Sequence, residues 1–316
     1  MDDFPYKSLL FEPSQLEVEK GLSEGSHMVV VEQELPTLSL PAGYTWTFKG
    51  VNNVACVTQD VTAYTNVNRL TDYFSEAARV RASVKGFVSP YDYWQKNKQF
   101  IKKKFGKDIH GQREYLYEKT KEANLFKISA THTLLSYLKA HKVLDPSAGW
   151  GDRLLGAAFT QSVEVYHAVD PNTALVVPYN NMLKYLNLVG SDDFRMVSAD
   201  FLKVTIPDMY DTVFTSPPFF DYEVYTNETS QSITGRDNLA IWVETFYTPY
   251  LTKAYEALVS GGRMCLYVSD TKSLKGFVSS TLNIMDVVLG ADYEGVIAIV
   301  NDDLKRPFPL WVWRKP

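Results

Sequence analysis

Two stretches of the chain carry residue types suited to group transfer. Val143-Leu144-Asp145-Pro146-Ser147-Ala148-Gly149-Trp150-Gly151 runs from apolar residues to an acid and then through two glycines. Such a run ends a buried strand and brings bare backbone against a nucleotide-like ligand. The second stretch, Thr215-Ser216-Pro217-Pro218-Phe219, begins its motif 71 residues after Asp145. It sets a hydroxyl, two rigid prolines and an aromatic ring at the end of another apolar run. Together the two stretches pair a cradle of bare backbone with a clamp for a planar group, in which Pro217 and Pro218 stiffen the loop and Phe219 offers a stacking face.

From about residue 142 to 316 the chain resembles a class I S-adenosylmethionine-dependent methyltransferase, of the kind that methylates exocyclic amines of nucleic-acid bases. Asp145 to Gly151 resembles the family's first motif in its Asp-Pro-x-x-Gly-x-Gly form, and Ser216-Pro217-Pro218-Phe219 resembles its fourth, which implies that Ser216 Oγ and the Pro217 carbonyl accept from an exocyclic amine and draw its delocalised lone pair toward a pyramidal, attacking form. The resemblance implies S-adenosyl-L-methionine as cofactor, held by Asp145, Pro146, Ser147, Gly149, Trp150 and Gly151. It further implies that Asp170, 19 positions after Gly151, takes the ribose hydroxyls. Pro171 then lies beside the adenine, and Asp200-Phe201 binds its amino group and ring. A carboxylate at Asp145 suits a sulfonium and an ammonium, whereas a pyrophosphate would prefer uncharged helix-start amides. The spacing of Gly149, Gly151 and Gly156 also departs from the dinucleotide fingerprint. Serine at the head of the fourth motif is more similar to cytosine-N4 than to adenine-N6 enzymes. Phe219 in place of the commoner tyrosine keeps RNA bases open. A DNA base is the favoured substrate; RNA, a protein amide or a small planar molecule, and a non-catalytic cofactor-binding subunit are the alternatives.

Elements that alternate in period must position these residues. Strands are expected over Lys142 to Asp145, Val163 to Asp170, Phe194 to Ala199, Asp211 to Thr215 and Arg263 to Val268. Helices are expected from near Asp152, around Ala174 to Leu188, and from about Asn238 to Val259, the last closed by Gly261-Gly262 as a C-cap. Val296 to Val300 and Leu310 to Trp313 read as an antiparallel hairpin joined through Asn301, Asp302 and Asp303. The fold class is therefore α/β, a Rossmann-like sheet with an antiparallel finish, preceded by a smaller α+β domain. The boundary is placed at 110/111. In the first domain, Met28 to Val31 and Tyr44 to Phe48 read as small antiparallel strands outside the cofactor core, followed by helices on either side of Ser89-Pro90. Phe126 to Leu135, with Ser129 and Thr131, falls where the family makes a further contact before the first strand. Phe126 itself reads as core.

The 316 residues carry a net charge of -5, which argues against a protein that coats nucleic acid through global charge. Charge is segregated, however. Arg81 to Lys121 holds eleven Lys/Arg against four Asp/Glu, a local +7. Lys102, Lys103 and Lys104, interleaved with aromatic residues, are candidate contacts to a phosphate backbone, with Phe220, Tyr222, Tyr225 and Arg236 nearer the transferred group. Residues 226 to 237 suit a mobile lid. The two cysteines and five histidines show no ligand-like spacing, so no metal is expected. The acidic N-terminus and lack of long apolar runs point to a soluble intracellular protein without membrane contact.

Overall fold

The computed structural model describes residues 3–10, 14–23, 28–33, 37–39, 45–47, 54–59, 61–301 and 306–316. Short runs broken by proline and glycine form strands β1 (Met28–Gln33), β2 (Thr37–Ser39), β3 (Thr45–Thr47) and β4 (Val54–Gln59), between helices α1 (Gln15–Ser23) and α2 (Val61–Arg79). The expected antiparallel pairing is present, β1 with β4 and β2 with β3. Tyr44, Phe48, Asp302 and Asp303 lie outside the described residues. A two-residue strand β5 (Ser83–Val84) leads to helices α3 (Pro90–Phe105), α4 (Ile109–Lys119) and α5 (Ile128–Leu138). The Ser89-Pro90 break starts α3: Ser89 Oγ accepts the Asp92 N–H at 3.1 Å, and Pro90 occupies a position where no amide hydrogen is needed.

The alternating half follows as β6 (Lys142–Asp145), α6 (Asp152–Ala158), β7 (Val165–Asp170), α7 (Val176–Tyr185), β8 (Phe194–Ser198) and β9 (Tyr210–Thr215). Then come β10 (Glu223–Val224), α8 (Leu239–Trp242), α9 (Thr248–Glu256), β11 (Leu258–Tyr267), α10 (Phe277–Asn283), β12 (Asp292–Asn301) and β13 (Arg306–Arg314). Among the described residues the main sheet runs β1-β4-β12-β13-β11-β9-β6-β7-β8. The five strands at one end, β11, β9, β6, β7 and β8, are parallel, while β13 is antiparallel to both β11 and β12. This is the Rossmann-like α/β sheet with an antiparallel finish that the sequence implies. The sheet also reaches upstream of residue 110, because β4 pairs parallel with β12.

Strand periodicity shows why the centre is so apolar. Val143, Phe214 and Cys265 pack into one buried cluster, and their neighbours Leu144, Val213, Met264 and Leu266 pack into another on the opposite face. Successive side chains point to opposite faces, so a sheet covered by helices on both sides needs apolar residues at every position. Each such burial contributes about 1.5–3 kcal/mol.

Two elements differ from expectation. The helix expected over Asn238 to Val259 is divided: α8 passes through a π turn, Val243–Tyr247, into α9. Pro249 sits in the first turn of α9, and its missing N–H and ring favour a wider turn just before it. The helix also ends at Glu256, not at the glycine pair. Gly261-Gly262 lies inside β11 as a bulge between Leu258 and Arg263. Gly261 has φ +78°, and a Cβ on Gly262 would stand 2.9 Å from the Val259 carbonyl oxygen. Close backbone approach, not helix capping, is what the pair serves.

Candidate active site

The chain runs outward from β6 through β7 to β8 and then returns to the other side of β6 as β9. A crevice opens at such a reversal, at the carboxyl ends of the strands. A cavity of about 600 Å³ lies there. The residues leaving each strand line it: Pro146 and Ser147 after β6, Pro171 after β7, Asp200 after β8, Ser216 after β9 and Ser269 after β11.

One wall gathers the residues of the first motif. Gly149 (φ +59°) and Gly151 (φ +90°) turn the chain from β6 into α6, and a Cβ on Gly151 would stand 2.4 Å from Met182 Sδ. Asp170 Oδ2 accepts the Gly149 N–H at 2.9 Å, and its Oδ1 accepts that of Asn172 at 3.0 Å. Burial outweighs these two bonds and lifts the Asp170 carboxyl to about 6. Trp150, Pro171, Asp200 and Phe201 share the same wall. Asp200 Oδ1 accepts the Leu202 N–H at 3.0 Å, and the Phe201 ring meets Tyr250 edge-on at 5.3 Å.

Asp145 is placed differently from the expectation of a carboxylate facing a cationic ligand. It is fully buried and does not line the cavity. Arg153 Nε donates to its Oδ2 at 2.7 Å, Tyr166 Oη donates at 2.7 Å, Thr215 Oγ1 at 2.8 Å and the Ser147 N–H at 3.2 Å. The charge is neutralised from within by Arg153, whose guanidinium also bonds the Ser147 carbonyl. Asp145 therefore ties the ends of β6 and β9 to the first turn of α6. Gly151 likewise lies beneath the cavity instead of on its lining.

The opposite wall holds Ser216, Pro218 and Phe219. Phe219 meets Phe277 edge-on at 5.2 Å, which fixes its ring. Pro217 is buried behind this surface. Phe220 turns away at φ +46° and packs on Trp242, with ring centroids 5.8 Å apart. Tyr222 and Tyr225 line the cavity; Lys121 Nζ donates to Tyr222 Oη at 2.9 Å, and Tyr225 meets Trp150 edge-on at 5.8 Å. Arg236 stays off the lining and bonds Thr245 Oγ1 at 3.0 Å and the carbonyl of Ser232 at 3.0 Å. It braces the segment expected as a lid, in which Ser230, Gln231 and Ser232 roof the cavity and Glu228 bonds the backbone N–H of Thr173 at 3.3 Å.

Lys102, Lys103 and Lys104 lie on α3, apart from the cavity lining. Lys102 Nζ pairs with Asp3 at 2.7 Å, and Lys104 Nζ lies 4.5 Å from the centre of the Tyr115 ring. Arg153, Glu223, Tyr250 and Tyr267 line the cavity without having been singled out from sequence. Phe126, expected as core, does both jobs: it packs on Phe214 and Tyr267 and also lines the cavity. Among the described residues no cluster of His, Cys, Asp and Glu could hold a metal ion, and no helix is long and apolar enough to cross a membrane.

No family model matches the chain, and no curated protein matches it. Solved structures with a similar fold include the N-methyltransferase NodS from Bradyrhizobium japonicum WM9 in complex with S-adenosyl-L-homocysteine. It is 8% identical over 69% of this chain and 97% of its own, with a TM-score of 0.41. TrmN from Thermus thermophilus is 17% identical over 60% of this chain and 49% of its own, at 0.42. The M. jannaschii tRNA m1G37 methyltransferase is 12% identical over 61% and 48%, at 0.39. The chain thus spans about half the length of the last two. These are distant likenesses of fold, and the chemistry of this chain rests on its own site.

Proposed function

We propose that the chain is an S-adenosyl-L-methionine-dependent methyltransferase acting on an exocyclic amino group of a nucleic-acid base, with DNA the favoured substrate. One observation carries the reading: a single cavity at the reversal of strand order joins an acidic, glycine-turned wall to the Ser216-Pro217-Pro218-Phe219 wall. The cavity volume suits a nucleoside-sized ligand beside a second planar group. The residues present fit the cofactor. Asp170 retains acceptor capacity for a ribose diol, Pro171 and Phe201 offer apolar surface for adenine, and Gly149 presents bare backbone to the cavity. When bound, the cofactor supplies an electrophilic methyl group.

The protein's part is positioning. Ser216 lines the cavity, and its hydroxyl oxygen offers lone pairs to an amine N–H. Phe219 and Tyr222 offer faces for a planar ring, and a base inside a duplex would have to be flipped out to reach them. The lysine-rich face of α3 supplies the charge expected along a phosphate backbone.

A tritiated-methyl assay tests the proposal. Label should pass to mixed-sequence DNA or, failing that, RNA, and Ser216→Ala should suppress it. Label appearing instead in protein or small molecules would move the reading to those substrates. Cofactor binding without transfer to any acceptor would refute it.

A further inference from the structure

The carboxylate of Glu223 has no part in the account above, yet it lines the same cavity four residues beyond Phe219. It is 8% exposed. Glu223 Oε1 accepts the backbone N–H of Asn124 at 3.2 Å and its side-chain amide at 3.3 Å, while Oε2 accepts the Tyr225 hydroxyl at 2.8 Å. All three donors are neutral. Lys121 and Arg79 act on it only through space, and the ring hydroxyls of Tyr225 and Tyr267 are the other titratable groups facing it. A buried carboxylate without a hydrogen-bonded cation is costly to keep, and one placed on a ligand cavity leaves an acceptor site for the ligand.

Its position is braced from two sides. β10 pairs with β5 through Glu223 and Val84, the Lys85 N–H donates to the Tyr222 carbonyl at 2.8 Å, and Lys85 Nζ pairs with Asp221 at 2.5 Å. Tyr225, bonded to Glu223, leans on Trp150 of the cofactor wall. Glu223 is thereby linked through Tyr225 to Trp150 and through β10 to the segment that follows Phe219.

We propose that Glu223 accepts the proton that the substrate amine sheds on methylation, an assignment that rests on the methyltransferase reading. Attack by the amine nitrogen forms an N–C bond while the C–S electron pair leaves with sulfur. The nitrogen then carries one proton too many. That proton passes to a Glu223 oxygen and from there to water, leaving a methylated neutral amine, a thioether and a restored carboxylate. Burial raises the Glu223 carboxyl above the usual range against the pull of Tyr225 and Asn124, which makes it a better base than an exposed carboxylate.

The test uses the full chain, tritiated S-adenosyl-L-methionine at saturation and mixed-sequence single-stranded DNA and RNA oligonucleotides, between pH 5 and 8. Wild-type kcat should rise with pH to a plateau. Glu223→Gln should lose that rising limb and roughly 100-fold in kcat, with KM within about threefold of wild type. Calorimetric affinity for S-adenosyl-L-homocysteine should stay unchanged. Tyr225→Phe removes a donor that favours the ionised form, so its limb should move to higher pH. Glu223→Gln with wild-type kcat and the limb intact would overturn the assignment. So would a Glu223→Gln protein that no longer binds the homocysteine product, which would make the residue structural. A wild-type protein that binds the product yet methylates neither oligonucleotide would bring down the methyltransferase reading itself, and the assignment with it.

Discussion

Cofactor affinity should fall with acid through one carboxylate. Burial pushes the Asp170 carboxyl up to about 6. In the proposed complex the ribose hydroxyls donate to its ionised form, so binding must first remove any proton present. With the carboxyl held ionised in the complex, affinity should drop about tenfold between pH 7.5 and pH 5, or about 1.4 kcal/mol. Stability runs the other way. The folded value lies above the ordinary 3.8, so the ionised group costs about 3 kcal/mol above pH 6, and the cost disappears as pH falls toward 4. Acid weakening of binding therefore cannot come from unfolding driven by this group. Asp170→Asn removes the charge and turns an amide N–H₂ toward the N–H of Gly149 or Asn172. It should weaken binding at pH 7.5 by about 2–4 kcal/mol, roughly 30- to 1,000-fold, and abolish the pH dependence. Calorimetry with S-adenosyl-L-homocysteine at pH 5, 6 and 7.5 reads both effects. A wild-type affinity that stays flat across this range, or an Asn variant that binds like wild type, would refute the assignment of Asp170.

Three further outcomes follow from the geometry. Ser216→Ala should lower kcat roughly 100-fold or more while product affinity by calorimetry stays within about twofold, since the hydroxyl acts on the amine and not on the cofactor. Arg153→Met strands the Asp145 carboxylate in the core and should cost about 3–5 kcal/mol in denaturant titration; a loss under 1 kcal/mol would mean Asp145 is not held as an ion pair. Gly151→Ala combines φ +90° with a Cβ 2.4 Å from Met182 Sδ. It should cost about 1–3 kcal/mol and lower the melting temperature, and Met182→Ala should relieve only the steric part.

The parallel strands of the sheet were legible because their signals are local. Val143-Leu144, Val213-Phe214 and the acid or serine that follows each run mark buried strands with polar ends, whatever lies around them. Gly149 and Ser216 follow from the same signals, lying just past those strands, and Asp170 closes β7 in the same way. What the sequence could not reveal depends on distant pairing. Gly261-Gly262 has the composition of a helix stop, and only the approach of Asp211 and Val259 makes it a strand bulge. The partner of Asp145 is eight residues away on α6, and nothing in an isolated Arg153 distinguishes an internal counter-ion from a surface charge. Glu223 sits in a run rich in aromatic residues, where a carboxylate reads as solvated until the approach of Asn124 and Tyr225 buries it. The lysines of α3 show the reverse case: composition marks the charge, while their distance from the cavity lining is a matter of tertiary placement.

The pairing of Ser83–Val84 with Glu223–Val224 makes the upstream part of the chain a splint for the loop that follows Phe219. Substrate choice could then drift through changes at residues that never touch a substrate. A graft of the 142–316 portion alone onto another scaffold would leave that loop without its β5 partner and the cavity without Phe126.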